Sequence, residues 1–395
     1  MTNCIFYSRR VMSINNEFSK VLEQVKDSPK FINLIATNFL DFVNENKIDF
    51  GQEFLSSLTA KYFLQHKYKP EPKGLLSARQ TITKYYQKEG VYVNVDNIII
   101  SASTSESYDL IFKNFTNPED EILLPCPGYP LIEYLCQYSR LKPCYYNLEQ
   151  AINWEINVNK LESKITGRTK CIVLISPNNP TGSIINQKTL DKIVLLAEKY
   201  GLFIIFDEVF SEFRELKIFP RPMNNTNINI FLFNGISKML ALPDLKLSWI
   251  AGSGKNISNV IDKLETANDT YLNANYLTQT IFPTLMKKKS KHIEFINTTL
   301  KQNKKILKQF IIQNSKCISG NICEGGIHNI LTIKTNINEE KFVVNFLREK
   351  KVSVHPGYFY ELSAKPNEIN IVISLLAQPS RFKMALIRLK NTFII

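Results

Sequence analysis

Lys238 follows an apolar run across a short turn, and this placement is the strongest chemical signal in the sequence. The run from Ile228 to Phe233 is continuous enough to predict a parallel strand covered on both faces, and Asn234, Gly235 and Ser237 then predict a turn. In open α/β sheets, ligands bind beyond the carboxyl ends of the strands. A lysine there is partly desolvated, which lowers the pKa of its amine and makes the neutral form a usable nucleophile. On this stretch alone, the simpler alternative is a loop lysine whose charged end reaches the surface.

Three further stretches bring polar groups to the ends of predicted strands. SASTSESYDL (residues 101–110) passes from a strand into a helix through small hydroxyl residues, and helix N-termini bind anions such as phosphate. SPNNPTG (176–182) presents asparagine side chains just past another strand. In FDEV (206–209), Asp207 ends an apolar run, where a carboxylate is costly unless a cation or a strong donor meets it.

These groups match the requirements of pyridoxal 5′-phosphate. The phosphate of this cofactor needs an anion site, its aldehyde needs a lysine amine, and its pyridine nitrogen needs a carboxylate that keeps it protonated. The anion site is a weak signal by itself, because serine and threonine are also ordinary helix caps. The combination predicts a single site at one edge of a sheet.

The composition is that of a globular chain with a sizeable core. Of the 395 residues, 44% are hydrophobic and 11% aromatic, which allows one large domain and a smaller one. No apolar run approaches the length of a membrane span and the start lacks a secretory segment, so we expect a cytoplasmic protein without membrane contact. Seven scattered cysteines and four histidines argue against disulfides and against a metal site.

The net charge of +13 raises the question of an anionic partner. The lysines are dispersed, however, and the densest basic run, MKKKSKH (286–292), lies between apolar helical stretches without interleaved aromatic residues. We expect this run to be a solvated helix face, and we expect no nucleic-acid partner.

Strands and helices alternate from about residue 95 to residue 252. This alternation is typical of βαβ units and predicts an α/β fold with a mainly parallel sheet. The predicted strands are NIIISA (97–102), EILLPC (121–126), CIVLIS (171–176), LFIIFD (202–207), INIFLF (228–233) and LSWIAG (247–252), and the predicted helices include ESYDLIFKNF (106–115) and KTLDKIVLLAEKYG (188–201), which ends in a glycine cap.

The pattern changes after residue 255, where long helical stretches precede short strands. This change predicts a second, α+β domain, and the amphipathic segment FSKVLEQVK (18–26) needs a partner face there. Its predicted elements are strands near 328–334 and 369–376, a helix at 339–350 and a last helix. We therefore predict a large domain over 51–284 and a small domain built from 1–50 and 285–395.

The chain resembles the class I/II aminotransferases, a family of fold-type I pyridoxal-phosphate enzymes, over nearly its whole length. The resemblance rests on NPTG (179–182), then DEVF (207–210), then SK (237–238) with a basic residue eight positions after the lysine. It implies a large α/β domain with a mainly parallel sheet and a small α+β domain. It also implies pyridoxal 5′-phosphate, an amine or amino-acid substrate with a keto acid, and a homodimer.

The resemblance further implies roles for single residues. Lys238 would bind the cofactor covalently, Asp207 would partner the pyridine nitrogen, and Asn179 would donate a hydrogen bond to O3′. Tyr129 would stack on the pyridine ring, and Tyr68 would reach the phosphate bound by the other subunit. The phosphate would be held by Ser103, Thr104, Ser105, Ser237 and Lys246.

The sequence also departs from the family pattern. Phe210 replaces the usual tyrosine beside the cofactor, Lys246 replaces an arginine, and Gly235 stands where many members have a serine. Members commonly carry an arginine that binds the substrate's α-carboxylate just before a stretch like ISLLAQP, and alignment puts Val372 there. Residues 351–380 contain no arginine, and the nearest, Arg381, starts the last helix.

The predicted function is a pyridoxal-phosphate-dependent aminotransferase with an unidentified donor and unusual carboxylate recognition. Without the arginine, we expect poor activity with aspartate, glutamate and alanine. Either the carboxylate is held elsewhere, by Arg381, by Asn38 or by N–H groups of the N-terminal segment, or the substrate lacks one. A C–S lyase, decarboxylase or cyclase would use the same residues, and a non-catalytic cofactor-binding sensor or interaction protein is the alternative of a different class.

Overall fold

A large mixed sheet is the centre of the structure. The computed structural model describes residues 17–37, 39, 42, 70–222, 227–272 and 274–392. Strand β1 (Ile32–Asn33) belongs to a smaller sheet, and the eight-stranded central sheet has the order β2-β9-β8-β7-β6-β3-β4-β5. Its strands are β2 Ile98–Ser101, β3 Glu121–Cys126, β4 Lys142–Glu149, β5 Glu155–Ile156, β6 Thr169–Ile175, β7 Phe203–Asp207, β8 Ile230–Gly235 and β9 Ser248–Ser253.

Helices cover both faces of this sheet. Alternate residues of β7 belong to different apolar clusters, with Ile204 and Phe206 on one face and Ile205 on the other. Such a strand is apolar throughout, as the sequence pattern predicted. The helices of the described chain are α1 Glu17–Val25, α2 Leu76–Lys88, α3 Thr104–Phe115, α4 Leu131–Tyr138, α5 Val158–Glu162, α6 Gln187–Tyr200, α7 Ile236–Met239, α8 Ile257–Tyr271, α9 Tyr276–Gln313, α10 Glu339–Lys350 and α11 Pro379–Lys390.

The predicted mainly parallel sheet is confirmed, with exceptions near both edges. Strands β8, β7, β6, β3 and β4 run parallel to one another, whereas β9 is antiparallel to both β2 and β8, and β5 is antiparallel to β4. Between β8 and β9 the chain forms only one-turn α7 and a 3₁₀ turn, too little to cross back over the sheet. Strand β4, which lies next to the edge strand β5, was not predicted. Its sequence, KPCYYNLE, alternates irregularly between exposed and buried residues and lacks a clear strand pattern.

Local signals explain where α6 begins and ends. The Asn186 side chain accepts a hydrogen bond from the Thr189 N–H at 2.9 Å, which satisfies a free donor of the first turn. The helix ends at Gly201, whose φ of 64° lies in the left-handed region that glycine enters without strain. The predicted glycine cap is therefore confirmed.

Residues from both ends of the described chain build a second core. Strands β10 (Ile318–Ser319), β11 (His328–Lys334), β14 (Glu368–Ser374) and β13 (His355–Pro356) form an antiparallel sheet, and β1 pairs with β12 (Val352–Ser353). Phe18, Val21 and Val25 of α1 pack in the same apolar cluster as α10 and α11. The N-terminal amphipathic helix thus has the partner face that its sequence predicted.

Helix α9 runs continuously through the predicted domain boundary at residues 284–285. Within the basic run of this helix, Lys289 is half-buried and pairs with Glu212 at 2.6 Å, so at least this lysine does not belong to a solvated face. None of the helices in the described ranges combines the length and apolar composition needed to cross a bilayer. All six described cysteines are free thiols.

A network of buried charged side chains begins at Glu208, the residue that follows β7. The Arg221 Nε donates to Glu208 at 2.5 Å, and Asn234 Nδ2 donates to the other oxygen of that carboxylate at 3.3 Å. The guanidinium of Arg221 also lies 4.9 Å from the centroid of the Phe219 ring, a cation–π contact. Because Arg221 and Glu208 are both buried, each neutralises a charge that would otherwise be very costly there.

We expect Arg221→Ala to lower the free energy of unfolding by about 3–5 kcal/mol, because it leaves the Glu208 carboxylate buried without a cation. Urea unfolding of the two proteins measures this difference. The control is Lys199→Ala, which breaks an exposed pair with Glu162 and should leave the unfolding midpoint unchanged. Equal effects of the two substitutions would contradict the assignment.

Candidate active site

A cavity of about 270 Å³ opens beyond the carboxyl ends of β6, β7 and β8. The register of the sheet aligns these ends, because Ile175, Asp207 and Phe233 lie side by side on the three strands. All predicted site residues within the described part of the chain line this cavity, namely Ser103, Thr104, Ser105, Tyr129, Asn179, Asp207, Phe210, Ser237, Lys238 and Lys246. Groups far apart in sequence are therefore brought to one site.

Lys238 is held in the cavity by the one-turn helix α7, which starts immediately after β8. The strand extends through Asn234 and Gly235, where the sequence predicted a turn. The lysine Nζ donates to the backbone carbonyl of Thr37 at 3.0 Å. Burial lowers the pKa of the Lys238 amine, so the neutral, nucleophilic form is more accessible than for a surface lysine.

Asp207 is a buried carboxylate that contacts only neutral donors. The Tyr108 hydroxyl donates to Oδ2 at 3.0 Å, and the Val209 N–H donates to Oδ1 at 3.2 Å. Burial nevertheless raises the pKa of Asp207 to about 6, because these two bonds only partly replace its hydration. No described cation pairs with it, which leaves this carboxylate suited to a protonated ring nitrogen.

The start of α3 forms the polar end of the cavity. Ser103 caps the helix by accepting from the Glu106 N–H at 3.1 Å, while the Glu106 carboxylate accepts from the Ala102 N–H at 2.6 Å. Thr104 and Ser105 of the first turn also line the cavity, and so does Lys246, whose φ is 48°. Helix end, hydroxyls and ammonium together form a cradle for an anion such as phosphate.

Asn179, Tyr129 and Phe210 form the walls of the cavity. The Asn179 Oδ1 is buried and has no hydrogen-bond partner in the described structure, so this amide has hydrogen-bonding capacity left for a ligand. Tyr129 is 46% exposed at the cavity, which leaves its ring free to stack on a planar ligand. Phe210 is buried and contacts His328 edge to face.

The loop that carries Asn179 is held by close packing against the second core. Gly182 has a φ of 66°, and a Cβ atom there would lie 2.3 Å from the Cβ of Cys323 and 2.4 Å from the carbonyl oxygen of Gly325. Only glycine satisfies both conditions. The glycine of NPTG thus fixes the loop, while the asparagine faces the cavity.

Three other residues were weighed in the sequence analysis, and two of them, Tyr68 and Asn38, lie outside the described residues. Arg381 was one of the expected holders of a substrate carboxylate, and the structure contradicts that expectation, because its guanidinium binds the Phe31 carbonyl at 2.6 Å on the surface. No arginine is among the described residues that line the cavity.

Sequence reasoning missed Tyr108, Ser248 and Thr37. Tyr108 lies within SASTSESYDL, and only the three-dimensional structure reveals that it reaches Asp207. The Ser248 hydroxyl forms a hydrogen bond with the Ser101 hydroxyl at 2.8 Å, and Ser248 also lines the cavity beside the anion cradle. Ser248 is brought in by its register opposite Ser101, and Thr37 accepts the hydrogen bond of Lys238 from 201 residues away in the sequence.

These groups fit the cofactor that the sequence suggested. A lysine amine with a lowered pKa, a carboxylate without a described cation, an amide that faces the cavity and an anion cradle fit the aldehyde, the ring nitrogen, the ring hydroxyl and the phosphate of pyridoxal 5′-phosphate, in that order. Fold and site together define a pyridoxal-phosphate enzyme of fold type I.

Comparison with known proteins identifies the family. The model of "Aminotransferase class I and II" matches residues 49–378, and the chain belongs to this family, whose members depend on pyridoxal phosphate. Tyrosine aminotransferase of Dictyostelium discoideum is 26% identical over 84% of this chain and 82% of its own length. Glutamate-pyruvate aminotransferase AlaA of Haemophilus influenzae is 28% identical over 73% and 74% of the two chains. Mouse tyrosine aminotransferase is 31% identical, but the match spans 45% of this chain and only 39% of that protein.

Solved structures confirm the fold. The alanine aminotransferase of Pyrococcus furiosus superposes with a TM-score of 0.85, covers 98% of both chains and is 21% identical. An aminotransferase from Escherichia coli has a TM-score of 0.80 over 96% of both chains at 24% identity. The predicted fold-type I architecture is thus confirmed.

Asp207 should make the cofactor-free protein less stable as the pH rises. Its folded-state pKa of about 6 exceeds the ordinary 3.8, so folding favours the protonated form and stability falls between about pH 4 and pH 6. We expect Asp207→Asn to raise the free energy of unfolding by about 3 kcal/mol at pH 7.5 and to have little effect at pH 4.

Urea unfolding of cofactor-free protein at the two pH values measures this dependence. The exposed Asp262 provides the control, because Asp262→Asn should shift neither value. A stabilisation by Asp207→Asn that is equal at pH 4 and pH 7.5 would contradict the assigned cause.

Proposed function

We propose that this chain is an aminotransferase that moves an amino group from an amine or amino-acid donor to a keto acid and recognises the donor without an arginine clamp. In each full turnover the donor leaves as its carbonyl compound and the keto acid leaves as an amino acid. The observation that carries the proposal is that one cavity is lined both by a half-buried lysine, Lys238, whose pKa is lowered by desolvation, and by a buried carboxylate, Asp207, that has no described cation.

Each cavity residue has a proposed task when the cofactor is bound. Lys238 holds the cofactor covalently and, once released, moves the proton between the donor carbon and the cofactor, because its lowered pKa favours the neutral base. Asp207 keeps the ring nitrogen protonated, and the protonated ring then supplies the electron sink of the reaction. Asn179 donates to the ring hydroxyl. Phe210, which is buried and apolar, replaces the usual tyrosine of the family there and donates no second hydrogen bond.

The remaining residues position the cofactor. Tyr129 stacks on its ring, and the phosphate is held by Ser103, Thr104, Ser105, Ser237 and Lys246. Tyr68 is proposed to reach the phosphate site of a second subunit, so that the enzyme is a homodimer, as is typical of the family. We also propose that the enzyme is cytoplasmic.

The surroundings of the cavity favour an apolar or aromatic donor over an acidic one. A smaller neighbouring cavity shares Tyr129 and Ile175 with the main one and is lined by further aromatic side chains, including Tyr145 and Phe359. Glu133 also lines this second cavity, and its carboxylate would repel the side chain of aspartate or glutamate. Relatives named tyrosine aminotransferase support an aromatic donor, whereas those named glutamate-pyruvate aminotransferase do not.

We expect Lys238→Ala to lose both transamination and the covalently bound cofactor. The measurement is visible absorbance, followed by borohydride reduction and mass spectrometry of the tryptic peptides. Lys263→Ala, which alters an exposed lysine of α8, should keep both properties. A reducible adduct on another lysine of the Lys238→Ala protein would overturn the assignment.

The donor preference should appear as a kcat/KM for phenylalanine or tyrosine that is about 10- to 100-fold above those for aspartate, glutamate and alanine. A coupled assay with one fixed keto acid measures the series. Loss of product when the keto acid is omitted separates transamination from a lyase or decarboxylase reaction. Comparable kcat/KM values for glutamate and phenylalanine would refute the preference.

A further inference from the structure

Tyr108 is a buried tyrosine beside the site to which the mechanism above gives no task. Its hydroxyl donates to Asp207 Oδ2 at 3.0 Å, although the two residues are 99 positions apart in the sequence. The side chain is 2% exposed. Tyr108 does not belong to the described lining of the cavity, so it can act on a ligand only through Asp207.

Aromatic packing fixes the ring of Tyr108 over the ends of two strands. Its centroid lies 4.9 Å from that of Phe233 at an interplanar angle of 86°, an edge-to-face contact. Phe233 of β8 is the register partner of Asp207 on β7. The ring of Phe112, one turn farther along α3, lies 5.7 Å away. Neighbouring strands thus carry the carboxylate and the ring against which the phenol packs, and this packing keeps the hydroxyl on Asp207.

The helix that carries Tyr108 also begins at the anion cradle. Thr104 and Ser105 of the first turn of α3 line the cavity, and Tyr108 follows Thr104 by four residues. Residues four apart lie on the same side of a helix. One helix therefore contributes both to the phosphate site and to the carboxylate that faces the ring nitrogen, which fixes the spacing between the two.

A tyrosine is suited to this position because its side chain is neutral. Burial, together with the neighbouring Asp207 carboxylate, raises the pKa of the Tyr108 hydroxyl well above its ordinary value, so this group stays protonated and can donate. Its hydrogen bond lowers the pKa of Asp207 against the larger, opposite effect of burial. A lysine or arginine in its place would neutralise the charge that a protonated ring nitrogen needs.

We propose that Tyr108 is a positioning residue for the cofactor, whose hydroxyl holds the Asp207 carboxylate in place and favours its ionised form. The inference rests on the proposed function, because it takes Asp207 as the partner of the ring nitrogen. The Val209 N–H binds the other carboxylate oxygen, Oδ1, at 3.2 Å. Each oxygen is thus bound from a different segment, and the carboxylate cannot rotate without losing one of these hydrogen bonds.

Other ionisable groups surround the pair of Tyr108 and Asp207. Glu208 follows Asp207 in the chain and raises its pKa by charge repulsion, although Glu208 itself pairs with Arg221. The remaining groups face Asp207 or Tyr108 from neighbouring elements or line the same cavity, namely Tyr129, Cys136 of α4, Cys171 of β6, Lys238 and Lys246. Their contributions cancel when the effect of Tyr108→Phe is compared between proteins with and without the Asp207 carboxylate.

The first measurement uses cofactor-free protein. Tyr108→Phe removes a donor and should raise the pKa of Asp207 further above its ordinary 3.8, so stability keeps falling to a higher pH than in the wild type. We expect urea unfolding to show that this substitution raises the unfolding equilibrium constant about tenfold more at pH 7.5 than at pH 4. In the Asp207→Asn background, the difference between the two pH values should vanish.

Tyr146→Phe is the matched control. It removes another buried tyrosine hydroxyl, whose partner is the neutral carbonyl of Val173 at 2.7 Å, so it should destabilise the protein equally at both pH values. In the holoenzyme, Tyr108→Phe should lower kcat about tenfold with less than about a threefold change in KM, because the residue acts through Asp207 and does not touch the substrate. Tyr146→Phe should change neither kcat nor KM.

The two measurements separate this inference from the proposed function. If the wild type does not transaminate but Tyr108 and Asp207 show the pH-dependent coupling, the inference stands and the proposed function fails. If the wild type transaminates but Tyr108→Phe destabilises equally at pH 4 and pH 7.5, or equally in the Asp207→Asn background, the inference fails and the proposed function stands. An unchanged kcat in the Tyr108→Phe holoenzyme also overturns the inference.

Discussion

Two adjacent carboxylates are buried at the end of β7, and the rest of the site follows from how each is neutralised. Glu208 is met by the guanidinium of Arg221 at 2.5 Å, so its charge is balanced within the protein. Asp207 is given only the hydroxyl of Tyr108 and one N–H group, and its pKa is raised to about 6. The fold therefore tolerates one carboxylate that lacks a cation. Such an uncompensated group destabilises the free protein and is favourable only when a cationic ligand occupies the cavity.

The central sheet brings the site residues together because β6, β7 and β8 end side by side. Ile175, Asp207 and Phe233 are register partners, so the residues that follow them, including Asn179 and Lys238, emerge around the same space. Parallel strands have this property because their carboxyl ends share one edge. The antiparallel β9 then returns from that edge and brings Lys246 and Ser248 to the anion cradle. Catalytic and anion-binding groups are thus positioned by backbone hydrogen bonds instead of by mobile side chains.

Much of this site could be predicted because its signals are local. Asp207 ends an apolar run, Lys238 follows one across a short turn and Ser103 begins a helix, so a few neighbouring residues suffice to recognise them. Strand β4 and the direction of β9 could not be predicted in the same way, since β4, next to the edge, lacks a strong apolar pattern and strand direction depends on the connection. The fold type itself followed from the alternation of strands and helices.

Contacts of the second-core sheet show why the remainder required the structure. His328 and His355 have no motif around them, and their proximity arises only from the registers of β11 and β13 with β14. Likewise, the surface bond of Arg381 to the Phe31 carbonyl depends on how α11 packs beside the N-terminal segment. Long-range pairing decides these contacts, and a single sequence does not encode it as a visible pattern.

The segment from Leu34 to Thr37 connects the second-core sheet with Lys238. Ser374 of β14 donates through its N–H to the carbonyl of Leu34 and through its hydroxyl to that of Ala36, both at 2.6 Å. The next carbonyl, that of Thr37, accepts from Lys238 at 3.0 Å. This segment is therefore hydrogen-bonded to the second-core sheet at one end and to the cavity lysine at the other, whereas Asp207 and the start of the anion-binding helix belong to the large sheet and its helices. The amine of Lys238 thus depends on both cores for its position, because β8 and α7 carry its backbone and the N-terminal segment accepts its hydrogen bond.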